Sequence, residues 1–267
     1  MYRHYGHTPA SGDFSKYECN TLMKASLFIT CIIDQFYPEI GESVLRVLQK
    51  LGVDLNFPDG QTCCGQPAFN NGFWHDAQPL AKRFLMEFQH SPAIIVPSGS
   101  CASMIRVFYR ELLHDDPELL SIASKIEPKV FELSEFIVDV IGIKRLITRA
   151  GSSLYKTTYH ESCHLRRELG AKTQARTLIK ALPSVDLIEM DQAEVCCGFG
   201  GVFAVKYSDI SGAMLQDKVT HISDTGADTV VSCDSGCLMQ IEGGLEMQKQ
   251  SIGTMHLAQL LDKALVD

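Results

Sequence analysis

The chain has 267 residues, 45% of them hydrophobic and 21% charged, with a formal net charge of −8 at pH 7. That size and composition describe a globular protein of one large or two small domains, able to bury a core without help from disulfides or metals. The negative balance excludes the broad positive field that draws nucleic acid or anionic lipid, and leaves ten cysteines to be explained.

Residues 1–22 are polar and rich in His, Tyr and Ser, without the apolar run of a secretory signal. They read as an N-terminal extension outside the core, with Cys19 a bystander and Met23 the functional start. The longest apolar stretch, residues 25–33, ends at Asp34, far short of the roughly 20 residues that a membrane helix needs. The expected location is therefore cytoplasmic, where thiols stay reduced and cysteines serve metal ligation or redox chemistry.

From Ala25 onward, strand and helix patterns alternate. A strand over residues 25–30 is followed by a helix over 41–51 with apolar Val44, Leu45, Val47, Leu48 and Leu51, then a strand over 54–57. A helix over 74–90 precedes residues 93–97, an apolar run of the kind buried in a parallel sheet, and a helix over 101–113 follows. Residues 128–149 hold a strand at 129–131 and an amphipathic helix at 134–141. The plan then repeats: strand 156–159, helix 172–182, strand 185–188, helix 208–225, strand 229–231 and a helix near Leu238. The predicted fold class is α/β, with two duplicated β-α-β halves on parallel sheets. The predicted division is 1–22, 23–150 and 151–267, with the boundary near Gly151. The small basic spots Arg166-Arg167 and Lys144-Arg145 read as solvated helix faces or helix ends.

The cysteines repeat with the halves. Cys31, the pair Cys63-Cys64 and Cys101 recur as Cys163, the pair Cys196-Cys197 and Cys237, at an offset that drifts by only a few positions along the chain. Matched spacing with matched element order indicates an internal duplication. Each first cysteine is expected to end a first strand, each Cys-Cys pair to follow a second, and Cys101 and Cys237 to follow a third. Loops after parallel strands share the C-terminal sheet edge, where open α/β folds place their ligands.

Thiolate is a soft ligand that suits zinc, Cu(I) or iron-sulfur clusters, and four thiolates satisfy a tetrahedral ion or a four-iron four-sulfur cubane. Structural zinc sites draw their cysteines in short pairs two to four residues apart. Adjacent cysteines with distant singles instead favour a large cluster with separated iron corners. Gly65 and the run Gly198, Gly200, Gly201 are expected to let backbone N–H groups approach the sulfurs. The candidate metal ligands are thus Cys31, Cys63, Cys64, Cys101, Cys163, Cys196, Cys197, Cys233 and Cys237, for one or two iron-sulfur clusters of 4Fe-4S type per chain.

This Cys…Cys-Cys-Gly…Cys duplication resembles the cysteine-rich CCG domain shared by a heterodisulfide reductase component, the glycolate oxidase iron-sulfur subunit and the lactate utilization protein A family. Pro97-Ser98-Gly99-Ser100-Cys101, His160-Glu161-Ser162-Cys163-His164 and Cys196-Cys197-Gly198-Phe199-Gly200-Gly201 are most similar to the last of these. The resemblance covers residue 23 to the C-terminus. It implies an electron-transfer component of an L-lactate or related 2-hydroxy acid oxidation system, working beside other subunits that include a second iron-sulfur protein. The heterodisulfide reductase pattern ends each motif in Cys-x-x-Cys. Here Ser98 and Asp234 hold the earlier position and Cys233 is displaced by one, which speaks against a five-cysteine non-cubane cluster and heterodisulfide cleavage.

Two motifs are decoys. His160-Glu161-Ser162-Cys163-His164 matches the zinc-protease pattern, but that pattern needs a helix to bring its histidines together, and here it follows a strand. His164 is instead expected either to hydrogen-bond a cluster sulfur or to be a satisfied loop histidine. Gly198-Phe199-Gly200-Gly201 has Phe203 where a dinucleotide fingerprint needs its last glycine. No flavin or nicotinamide motif is visible, so the chain is expected to work only within a larger oxidoreductase. A thiol-disulfide enzyme and a structural zinc scaffold stay open as alternatives.

Overall fold

The computed structural model describes residues 23–142, 146–148 and 155–266. The N-terminal extension 1–22 with Cys19, the basic pair Lys144-Arg145 and the boundary near Gly151 lie outside the described residues.

Two four-stranded parallel sheets form the frame. Strands β1 (Met23–Leu27), β2 (Val53–Asn56), β3 (Ile94–Val96) and β4 (Val130–Glu132) are ordered β2-β1-β3-β4. Strands β5 (Tyr155–Tyr159), β6 (Val185–Leu187), β7 (Thr229–Ser232) and β8 (Gly253–His256) are ordered β6-β5-β7-β8. The same order in both sheets, with all pairs parallel, makes the two halves structural repeats.

Helices cover the sheets because their apolar residues recur at helical spacing. In Pro38–Lys50 the buried Ile40, Val44, Val47 and Leu48 fall on one stripe, Pro38 opens the helix where its missing N–H costs nothing, and Gly52 at φ +76 follows its end. The halves join through a central core of Ile33, Val44, Leu48, Phe136 and Ile137 with Tyr159, Leu178, Ile179, Leu257 and Leu261. The C-terminal helix Leu257–Ala264 lies on Pro38–Lys50 of the other half, where Asp262 pairs with Arg46 at 2.7 Å and Lys50 at 3.3 Å. Each half also keeps an outer core, around Phe28, Phe84 and Tyr109 in the first and Val219, Val230 and Ile241 in the second.

The structure shifts some expected bounds. The first strand leaves the sheet at Leu27, so Cys31 does not end a strand but opens the helix Cys31–Phe36, and Cys163 likewise opens Cys163–Arg167. The helix expected over 101–113 begins two residues earlier, at Gly99, because the Ser98 side chain accepts from Cys101 N and caps it. Helix Pro117–Ile126, strand β8 and helix Leu257–Ala264 add to the elements expected from the sequence pattern.

Candidate metal centres

In the first half, the loop after β1 leads into Cys31, the loop after β2 carries Cys63-Cys64-Gly65, and the turn after β3 leads into the helix Gly99–Ser103 that holds Cys101. All three lie at the C-terminal ends of their strands. Cys31 Sγ stands 3.7 Å from Cys63 Sγ, and Cys64 Sγ 3.4 Å from Cys101 Sγ. In the second half Cys196 stands beside Cys163 and Cys197, and Cys197 beside Cys237. None of these cysteines is in a disulfide.

The glycine after each pair makes the approach possible. Gly65 and Gly198 both sit at φ +86, a region that side chains disfavour, and each donates its N–H to the sulfur two residues earlier, Cys63 and Cys196, at 3.4 Å. A Cβ at Gly198 would stand 2.7 Å from the Ser211 carbonyl oxygen, and one at Gly65 3.3 Å from that of Ala77. Gly200 and Gly201, at φ +50 and +61, instead turn the chain into the helix Val202–Lys206, their carbonyls accepting from Phe203 and Ala204.

The thiols share protons unevenly. The hydrogen bond from Cys31, more than any other influence, pulls the Cys63 thiol down to about 3, and the same contact pushes Cys31 up. Cys163 does the same for Cys196, pulled down to about 2. The short sulfur–sulfur contacts of each set thus favour a thiolate beside a protonated neighbour, a proton that a bound metal would replace.

Cys233 is not brought to either set. It is fully buried in the central core, its sulfur 3.7 Å from Tyr159 Oη. The reason is register: the offset that carries Cys101 onto Cys237 carries Pro97, which has no thiol, onto Cys233. His164 does meet a sulfur, its Nδ1 3.6 Å from Cys163 Sγ. The protease-like motif is not helical at its start, since His160 and Glu161 precede the helix Cys163–Arg167. Glu161 is held by Arg166 and Arg176, so Arg166 is an ion-pair partner and not merely a solvated charge.

The sequence marks His160 as a flank of the second-half cysteines but gives it no role in the site. It is fully buried, neither ring nitrogen has a hydrogen-bond partner, and burial, helped by Lys218, pushes its pKa down to about 3. One of its nitrogens and the sulfurs of Cys197 and Cys237 lie within 4.8 Å of one another. The hydroxyls of Thr30 and Ser162, each directly before the first cysteine of its half, are also buried without partners. Four soft donors brought together in each half, with the unpartnered His160 ring beside two of them in the second, fit a bound metal or metal-sulfur group.

Comparison with known proteins agrees with this arrangement. The model of the family described as "Cysteine-rich domain" (CCG) matches residues 25–106 and 157–242, one copy per half. Lactate utilization protein A 2 of Bacillus cereus (strain Q1) is 42% identical over 243 residues, 91% of this chain and 99% of the relative. Lactate utilization protein A of Halalkalibacterium halodurans is 43% identical over 241 residues, 90% of this chain and 97% of the relative. Among solved structures, a hypothetical protein from Helicobacter pylori has a similar fold, with a TM-score of 0.61 at 13% identity over 93% of this chain and 50% of that one. No helix among the described residues is long and apolar enough to cross a membrane.

Proposed function

Because the chain belongs to the CCG cysteine-rich domain family and matches lactate utilization protein A relatives along nearly their whole length, we propose that it is the iron-sulfur electron-transfer component of a lactate oxidation system. The observation that carries this reading is the meeting of four thiols in each half, on repeated loops at the strand C-termini. Cys31, Cys63, Cys64 and Cys101 would hold one centre, and Cys163, Cys196, Cys197 and Cys237 the other. An iron-sulfur centre bound there would supply one-electron acceptance and release.

The chain's own residues do the rest. Cys64, Cys101, Cys197 and Cys237 are buried, which keeps water from the inner side of each site. The Gly65 and Gly198 amides support one thiolate in each. Oxidising a 2-hydroxy acid to a 2-oxo acid removes two electrons and two protons, and the hydride acceptor for that step belongs to a partner subunit. The division into domains 23–150 and 151–267 follows the repeat, each domain with its own centre.

The test is anaerobic purification with iron and acid-labile sulfide analysis and electron paramagnetic resonance. Iron and sulfide in matching amounts are expected. Cys163→Ser, Cys196→Ser or Cys237→Ser should weaken the second-half centre and Cys31→Ser, Cys63→Ser or Cys101→Ser the first, each removing up to about half of the bound iron, the second-half changes removing more only if the two centres are unequally filled, and Cys233→Ser should remove none. A second reading is zinc: two sulfur pairs of the first half stand 3.4 and 3.7 Å apart, near the roughly 3.8 Å between sulfurs on one tetrahedral zinc, although among the described residues no three of the cysteines lie within 4.8 Å of one another. Colourless protein with stoichiometric zinc would select it.

A further inference from the structure

The two sites differ in what stands behind their sulfurs. His160 in the second half occupies the place of Phe28 in the first: each comes three positions before its half's first cysteine, and Phe28 N donates to Ile95 O as His160 N does to Val231 O, both at 2.9 Å. Phe28 packs edge-on against Phe84 and Phe88, with ring centroids 5.0 and 5.6 Å away. The counterpart of Phe84 is Lys218, at the same offset that relates Ala77 to Ser211, the residues whose carbonyls crowd Gly65 and Gly198. Lys218 is itself buried, with its ammonium donating to Gln192 O at 2.8 Å and Ala193 O at 3.3 Å. A phenylalanine pair in one half is thus a histidine and a lysine in the other.

That exchange is costly unless it serves something. A phenyl ring fills such a space without polar atoms, whereas the His160 ring is fully buried with both nitrogens bare. The company of the right chemistry is sulfur, since a ring nitrogen shares a 4.8 Å neighbourhood with Cys197 Sγ and Cys237 Sγ. Neutral imidazole carries one N–H donor, and thiolate or sulfide sulfur accepts such bonds. We propose that His160 is a positioning residue of the second centre, donating a ring N–H to its sulfur and setting its reduction potential above that of the first. The inference rests on the iron-sulfur reading of the two cysteine sets. A donor to sulfur stabilises the reduced, more negative state of a cluster, and Lys218 adds positive charge on the same side. Electrons would therefore settle on the second-half centre.

The experiment is a potentiometric titration followed by electron paramagnetic resonance on the anaerobically prepared full chain, wild type against His160→Phe and His160→Gln. In His160→Phe the reduced-to-oxidised equilibrium of one centre should fall at least tenfold, a shift of about 59 mV for one electron. The other centre should not move, and His160→Gln, which keeps an N–H, should recover part of the shift. Histidine labelled with 15N should give a weak coupling to the second centre, lost in His160→Phe. Unchanged potentials with iron retained would overturn the proposal, as would the strong coupling of a nitrogen bonded directly to iron. The unshifted first centre reports that the variant is folded. If His160→Phe does not fold, Phe28→His tests the same claim in reverse: it should raise the potential of the first centre, and no rise overturns the proposal. A wild-type chain with no iron-sulfur signal would overturn the functional reading itself, and is recognised before any variant is made.

Discussion

Glu132 closes β4 with its carboxyl fully buried, accepting from both the amide and the hydroxyl of Ser134, while its Oε1 has no partner. Burial raises its pKa from 4.5 to about 8. A carboxyl whose folded pKa is raised holds its proton longer in the fold than in the open chain, so its contribution to stability is complete below 4.5 and is lost as pH rises through about 8. The buried His256, pushed down to about 4 by desolvation, works the other way, adding stability as pH climbs from its folded value toward 6.5. Comparison with Glu132→Gln isolates the carboxyl between pH 4.5 and 8, because the Cys233 thiol and Tyr159 hydroxyl that its charge acts on are both held well above that range. The unfolding free energy of wild type minus that of Glu132→Gln, from urea titrations, should fall between pH 4.5 and 8. A flat difference would mean that Glu132 ionises as an ordinary exposed carboxyl does, and a rising one that the fold favours its carboxylate.

At the scale of the element, the loop that ends in Cys-Cys-Gly shows how a short backbone feature builds a site. Gly198→Ala must place a side chain at φ +86 and 2.7 Å from a backbone oxygen, whereas at Gly65 the gap is 3.3 Å. The strained φ alone costs roughly 1–2 kcal/mol, so Gly65→Ala should lose about that much and Gly198→Ala clearly more, read from thermal or urea unfolding. Equal losses would mean that the helix Ser208–Asp224 gives way to the methyl group. Gly65 and Gly198, the alternation of strands with helices and the eight matched cysteines are legible in the sequence because each leaves a periodic or spaced mark, whereas the strand order within each sheet leaves none. Strand β8 is not legible either, since Gly253-Thr254-Met255-His256 has no apolar alternation and exists by pairing with β7. His160 is hidden by its place in a protease-like motif. A signal is nonetheless there, because the offset that relates Cys31 to Cys163 also relates Phe28 to His160, a histidine where the first half has a phenylalanine. The offset that aligns Cys233 with Pro97 likewise suffices to set that cysteine aside.

Across the whole molecule, each half's third-strand helix meets the first-strand helix of the other, Gly99–Ser103 against Cys163–Arg167 and Ser235–Met247 against Cys31–Phe36. The approach is close enough that a Cβ at Gly99 would fall 2.8 Å from Leu165 Cβ. At the centre of the junction, buried Asp234 accepts from Ser100 N at 2.8 Å and from Ser98 Oγ at 3.1 Å across the halves, and from Gly236 N at 3.1 Å within its own. Asp234→Ala should cost roughly 1–3 kcal/mol for each buried donor left without a partner, seen as a lowered urea midpoint. An unchanged midpoint would show that the hydrogen bonds of Asp234 do not hold the junction, which then rests on its apolar contacts and its other bonds across the halves.

Ser98 and Asp234 hold equivalent places, each capping the helix that bears its half's last cysteine, and they bond to each other. In a two-fold dimer of identical chains, any residue on the axis faces its own copy. Two aspartates would set like charges together in a buried spot, and two serines would leave the neighbouring amide without its carboxylate. Covalent fusion releases both positions from that mirror constraint. The serine–aspartate pair is a contact that a symmetric ancestor could not have made, and the same freedom lets one half keep Phe28 while the other carries His160.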